Sequence, residues 1–73
     1  MTHRYSILIQ WSDEDQLYLV TIPEFMERVM QPCTSGETYE AALANAQDCI
    51  TACLEHWESE GVAPPLPIVL QAA

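Results

Sequence analysis

The sequence predicts an α+β fold, a small β-β-β-α-β domain with one long helix packed on a mostly antiparallel sheet, and three observations carry that prediction. A β-prone stretch alternates in hydrophobicity from Tyr5 to Trp11, and a second β-prone run from Leu17 to Ile22 follows after a short polar gap. An amphipathic pattern of helical period then runs from Tyr39 to about Glu60. Residues 1–73 are expected to form a single domain, because a chain of 73 residues cannot hold two packed cores. A core this small leaves little stability to spare, so help from oligomerisation or a partner is expected.

The first strand places Tyr5, Ile7, Ile9 and Trp11 on one face and Ser6, Leu8 and Gln10 on the other, and Trp11 is read as core with its face. Ser12-Asp13-Glu14-Asp15-Gln16 is polar and of hairpin-loop length, and Pro23 stops the second strand after Ile22. Between Glu24 and Ser35 the pattern weakens. Val29-Met30-Gln31 is the candidate third strand, confined to an edge or a bend by Pro32. Ser35-Gly36-Glu37 leads into the helix, Thr38 is the expected N-cap, and Glu40 sits favourably against the positive helix end. Leu43, Ala46, Ile50, Cys53 and Trp57 recur at intervals of three and four and form the apolar stripe, opposite Glu40, Gln47, Glu55 and Glu58. Gly61 is a natural C′ residue, and Pro64, Pro65 and Pro67 prevent continuation of the helix. Ile68-Val69-Leu70 is then the last short strand.

Charge narrows the function. Two cations, Arg4 and Arg28, stand against 11 acidic residues, for a formal net charge of −9. Nucleic-acid affinity draws on Lys and Arg neutralising phosphates, so direct DNA or RNA binding is not expected, whereas a basic partner is favoured. The apolar runs fall far below the ~18 residues of a membrane helix, and the first residues form no apolar signal core. A soluble, cytoplasmic protein is expected. Of the three cysteines, Cys49 and Cys53 lie one helical turn apart as small core residues, which suits a reducing compartment.

A Tyr-led strand, an acidic loop, a strand ending in Ile22-Pro23-Glu24, the stretch from Thr34 to Ala46 and a closing Pro65-Leu66-Pro67 together resemble the HicB-like antitoxin family over nearly the whole chain. The most specific part is Gly-x-Thr-x-x-x-Ala-Leu-x-x-Ala, here Gly36, Thr38, Ala42, Leu43 and Ala46, together with Pro23. These residues also have physical reasons: Gly36 frees the backbone for a tight start, Thr38 caps, and the small Ala42 and Ala46 let the helix lie close on the sheet. The resemblance implies a partial ribonuclease H-like fold whose last strand returns beside the first. It also implies an antitoxin that binds a small basic mRNA-cleaving toxin of the HicA type and covers its active site. Many members carry a further DNA-binding domain; none is expected after Ala73, and with it no autoregulatory DNA binding. Where the family tends to place a Pro-Gly turn, this chain has Phe25-Met26-Glu27-Arg28, so the partner-facing loop differs.

Phe25 and Met26, in an irregular loop, suit an adaptable contact patch as well as a core. Asp13, Asp15, Glu24 and Glu27 flank it as phosphate mimics under the toxin reading and as solvated charges otherwise. Asp13, Glu14, Asp15 and Glu24 also evoke the carboxylates of a metal-dependent nuclease, but this surface repels nucleic acid. Cys49, Cys53 and His56 have helical ligand spacing without the paired Cys-x-x-Cys pattern of a zinc site. Neither His3 nor His56 can be tied to a nucleophile. No catalytic residue, metal or cofactor is therefore expected. The alternative function is a stand-alone homo-dimeric or larger HicB-like domain with a regulatory or scaffolding role, in which exposed strand edges pair between subunits.

Overall fold

Strands β1 (Leu8–Ser12) and β2 (Leu17–Thr21) form the expected hairpin in a computed structural model that describes residues 3–71. Their antiparallel register runs from Leu8 opposite Thr21 to Ser12 opposite Leu17. Gln16 closes the loop in the left-handed region (φ 56°) and donates its N–H to the Ser12 carbonyl at 2.8 Å. β1 starts later than the alternation suggested. Continuing the register would set Ser6 opposite Pro23, which has no N–H to give and instead begins a 3₁₀ turn, Pro23–Phe25.

That turn also explains why the third strand is not at Val29–Gln31. The N–H groups of Arg28 and Val29 both turn back to the Phe25 carbonyl, at 3.0 and 2.8 Å. Gln31 takes part in the sheet through its side chain instead: its amide accepts from the Ile22 N–H and donates to the Ile22 carbonyl, both at 3.3 Å. The strand that does pair is β3 (Thr34–Gly36), antiparallel to β2 with Tyr18 opposite Gly36 and Val20 opposite Thr34. The sheet order is β1-β2-β3, so β1 has one free edge.

Helix α1 (Tyr39–Ser59) follows. The Thr38 hydroxyl oxygen accepts from the Ala41 N–H at 3.0 Å, the cap the sequence predicts. At the other end Val62 donates to Trp57 and Gly61 to Glu58, with Gly61 at φ 69°, which completes a Schellman motif. The buried line of the helix is Ala42, Ala46, Ile50 and Trp57. Leu43, expected inside, is 42% exposed. The shift arises because the helix lies over β3 and β2 and barely touches β1, so the Ala42 side meets the sheet.

The core comprises Val20, Ile22, Phe25, Ala42, Ala46, Ile50 and Trp57. Phe25 sits at its centre, edge-on to both Tyr5 and Trp57 with ring centroids 4.9 Å apart in each case. The last strand expected at Ile68–Leu70 does not form: residues 62–71 pair with no strand. Their backbone is tied near β1 only at points, by the Tyr5 hydroxyl donating to the Pro65 carbonyl at 2.7 Å and by Glu24.

Candidate functional site: an acid-flanked aromatic ledge

The acidic residues singled out in the sequence fall into two groups. Asp13 and Asp15 occupy the hairpin tip, whereas Glu24 and Glu27 lie past the other end of β2. Five strand residues at ~3.3 Å each put roughly 17 Å between them.

The second group is mostly structural. Both carboxylate oxygens of Glu24 accept from the Ser6 N–H, at 3.1 and 3.0 Å, and Oε2 also accepts from the Ser6 hydroxyl at 3.1 Å and the Ile68 N–H at 2.9 Å. Burial alone would raise its pKa, but the N–H groups of Ile68 and Ser6 favour the charged form, and the carboxyl is held below its ordinary range. Phe25 is fully buried and offers no contact surface; Met26, at 62% exposure, and Glu27 are the parts of that loop open to water.

The first group stands beside aromatic rings that sequence reasoning assigned elsewhere or passed over. Trp11, read as core, is 48% exposed. It points to the helix side of the sheet, but at the hairpin end, where the helix does not cover β1. Its ring is edge-on to that of Tyr18, its direct cross-strand partner, at 5.0 Å. Tyr18 in turn lies 4.3 Å from the ring of Tyr39, the first residue of α1 and 60% exposed. Counting back from a five-residue hairpin loop would have paired Trp11 with a residue near Tyr18, but the involvement of Tyr39 depends on where the helix starts over the sheet.

Carboxylates brace and flank this ledge. Asp13 Oδ1 accepts from the Trp11 indole N–H at 2.6 Å and so fixes the ring. Asp15 accepts from the Ser12 hydroxyl at 2.9 Å, and Gln16 donates its side-chain N–H to the Asp13 carbonyl at 2.7 Å, which orders the loop. Burial, then the neighbouring Tyr39 hydroxyl and the Glu40 charge, raise the Tyr18 pKa, so its phenol stays protonated. The cations lie elsewhere. Arg28 packs over Trp57, 5.1 Å from the ring centroid, and donates to the Ala63 carbonyl at 2.7 Å, while Arg4 precedes the far end of β1. Aromatic faces with uncompensated carboxylates beside them attract ammonium and guanidinium groups.

The thiols offer a poorer chemistry. Cys33, Cys49 and Cys53 come together between the approach to β3 and the helix; burial first, then the Cys49 neighbour, push the Cys33 thiol up to about 12 and the Cys53 thiol to about 11. Thiols so disfavoured as thiolates are weak nucleophiles. Among the described residues no group of three His, Cys, Asp or Glu side chains is placed to hold a metal ion. His3 is bonded to the Thr51 hydroxyl at 3.1 Å, beside an open cleft of about 680 Å³ lined by Leu54, Glu55, Glu58 and Val62 among others.

Among the described residues no helix is long and apolar enough to cross a membrane. Comparison of the chain with family models, curated proteins and solved structures returns no match.

Proposed function

We propose that this chain is a HicB-like, antitoxin-type binding protein that neutralises a small basic mRNA-cleaving toxin in the cytoplasm by covering its active site, without catalysis of its own. The observation that carries the reading is the ledge of Trp11, Tyr18 and Tyr39 with Asp13 and Glu40 beside it, Arg28 being engaged elsewhere, on a chain of net charge −9. Arg and Lys side chains that bind RNA on such a toxin would find aromatic faces and carboxylates here in place of bases and phosphates. The contacts of Pro65 with Tyr5 and of Ile68 with Glu24 support a partial ribonuclease H-like layout, in which the segment after the helix returns beside β1.

Titration of the protein into a HicA-type toxin cutting a reporter RNA tests the reading. Cleavage should stop at one equivalent, with affinity falling as salt rises, and Trp11→Ala with Asp13→Asn should weaken inhibition at least tenfold. Unaffected cleavage, or inhibition indifferent to both changes, would overturn it. The free edge of β1 favours a second reading, a stand-alone oligomeric domain with a regulatory or scaffolding role.

A further inference from the structure

We propose that the groove between α1, the residues before β1 and the segment after the helix binds a linear aliphatic polyamine, with its ammonium groups on Asp48, Glu55 and Glu58 and its methylenes on an apolar wall. The inference stands apart from the toxin reading, since none of these residues belongs to the ledge.

Asp48, Thr51, Glu55 and Glu58 recur at intervals of three and four, so they lie along one face of α1, and Leu54 sits between that face and the buried line of the helix. Two clefts open there. The larger, of about 680 Å³, is lined by Leu54, Glu55 and Glu58 of the helix and by Val62 and Pro64 beyond it. The smaller, of about 280 Å³, lies nearer the helix N-terminus, between Asp48 and residues Tyr5 and Ile7. His3 and Thr51 line both, and their side chains are joined at 3.1 Å, so the clefts adjoin as one groove with this pair at its waist.

The turn that ends the helix supplies the apolar wall. It reverses the chain at Gly61 and sets Val62 and Pro64 across the larger cleft from Glu55 and Glu58. Arg28 fixes this wall through the Ala63 carbonyl, at 2.7 Å, but does not line the cleft. Among the described residues the ionisable groups that line the groove are His3, Tyr5, Asp48, Glu55 and Glu58.

This combination selects its occupant. The larger cleft has the volume of a small-molecule site. An uncharged apolar ligand would cover the carboxylates without pairing them, and a bare metal ion would leave the apolar wall in water. Methylenes carrying ammonium groups answer both demands. Seven residues of helical rise set Asp48 roughly 10 Å from Glu55, and ten set it roughly 15 Å from Glu58. That span suits a triamine with two short methylene spacers and is too long for a short diamine. The Thr51 hydroxyl, whether it donates to His3 or accepts from it, keeps a lone pair for the mid-chain N–H at the waist.

Calorimetry on the whole chain with spermidine, hexaamminecobalt(III) and trilysine tests the site, because all three are triply charged and only the first is a slender methylene chain. At about 0.15 M salt, where diffuse attraction is screened, spermidine should bind at least tenfold more tightly than either of the others. It should also shift the backbone resonances of Thr51, Leu54 and Val62. Asp48→Asn with Glu55→Gln should weaken binding at least tenfold at unchanged circular dichroism. Glu14→Gln with Glu37→Gln removes the same charge from exposed positions elsewhere and should leave the affinity within twofold. No binding of spermidine, binding no tighter than that of hexaamminecobalt(III), or equal loss in the two double variants would overturn the inference whatever the outcome with a toxin. Tighter binding of trilysine would overturn it as well and assign the groove to a basic protein segment.

Discussion

At Gly36 the absence of a side chain sets how closely the helix can approach the sheet. A Cβ there would meet the Ala42 backbone nitrogen and lie 2.7 Å from Ala42 Cα and 2.8 Å from the Ala41 carbonyl carbon, all of them backbone atoms that have no rotamer to change. The sequence reading attributed this glycine to conformational freedom; Gly61 is the glycine with positive φ, and Gly36 is required for space. Gly36→Ala should lower the stability by about 1–3 kcal/mol, read as a lower urea midpoint with an unchanged slope. Glu24 makes a second prediction. Its folded pKa lies below its ordinary value of 4.5, so the stability it contributes is present above that value and is lost as the pH falls through the folded value. Glu24→Gln should therefore cost about 1–3 kcal/mol at neutral pH, and the gap between variant and wild type should close on acidification below pH 4.5. A gap that persisted in acid would show that the charge of Glu24 is not what joins Ser6 to Ile68.

Among the elements, the hairpin and the helix were legible because each is specified locally. Alternation identifies a strand, Pro23 ends one, Thr38 caps the helix, and Gly61 closes it, and every one of these acts within a few residues. The third strand was not legible for the opposite reason. Val29-Met30-Gln31 has strand composition, yet the Phe25 carbonyl takes the N–H of Val29, while the less apolar Thr34-Ser35-Gly36 pairs because the turn delivers it to the edge of β2. The Gln31 amide then serves Ile22 as a ladder partner would. Replacing it with an apolar side chain of similar size leaves the N–H of a buried residue without a partner, while the Ile22 carbonyl keeps the Phe25 N–H at 2.9 Å. Gln31→Leu should cost about 1–3 kcal/mol, and hydrogen exchange at the Ile22 amide should rise well above that at Val20.

For the whole molecule, the loop pair Phe25-Met26 shows how tertiary placement divides residues that adjacency cannot separate. Phe25 joins Tyr5 to Trp57 at the centre of the core, and Met26 faces water one residue later. Phe25→Ala should cost about 3–5 kcal/mol, enough to abolish the thermal transition of so small a domain, while Met26→Ala should leave the melting curve nearly unchanged. Charge is likewise distributed at this scale. Arg28 is engaged with Trp57 and Ala63, so the hairpin end is left as an acidic and aromatic surface. Of the candidate site, the carboxylates Asp13 and Asp15 were visible in the sequence, but the rings beside them were not recognised as a surface. Trp11 belongs to a core-facing alternation and leaves the core only because the helix runs over β2 and β3 and leaves β1 uncovered.

By itself the sequence determined the α+β class, the hairpin, the helix with both of its caps, and the acidic balance of two cations against 11 carboxylates. Those properties follow from composition and from interactions spanning a few residues. Tertiary structure alone decided which segment became the third strand, that Ala42 rather than Leu43 faces the sheet, that Glu24 joins two distant segments, and that three aromatic rings meet beside Asp13. Each of these depends on where the helix lies and which backbone groups are already taken, and those are set by packing between residues far apart in the chain.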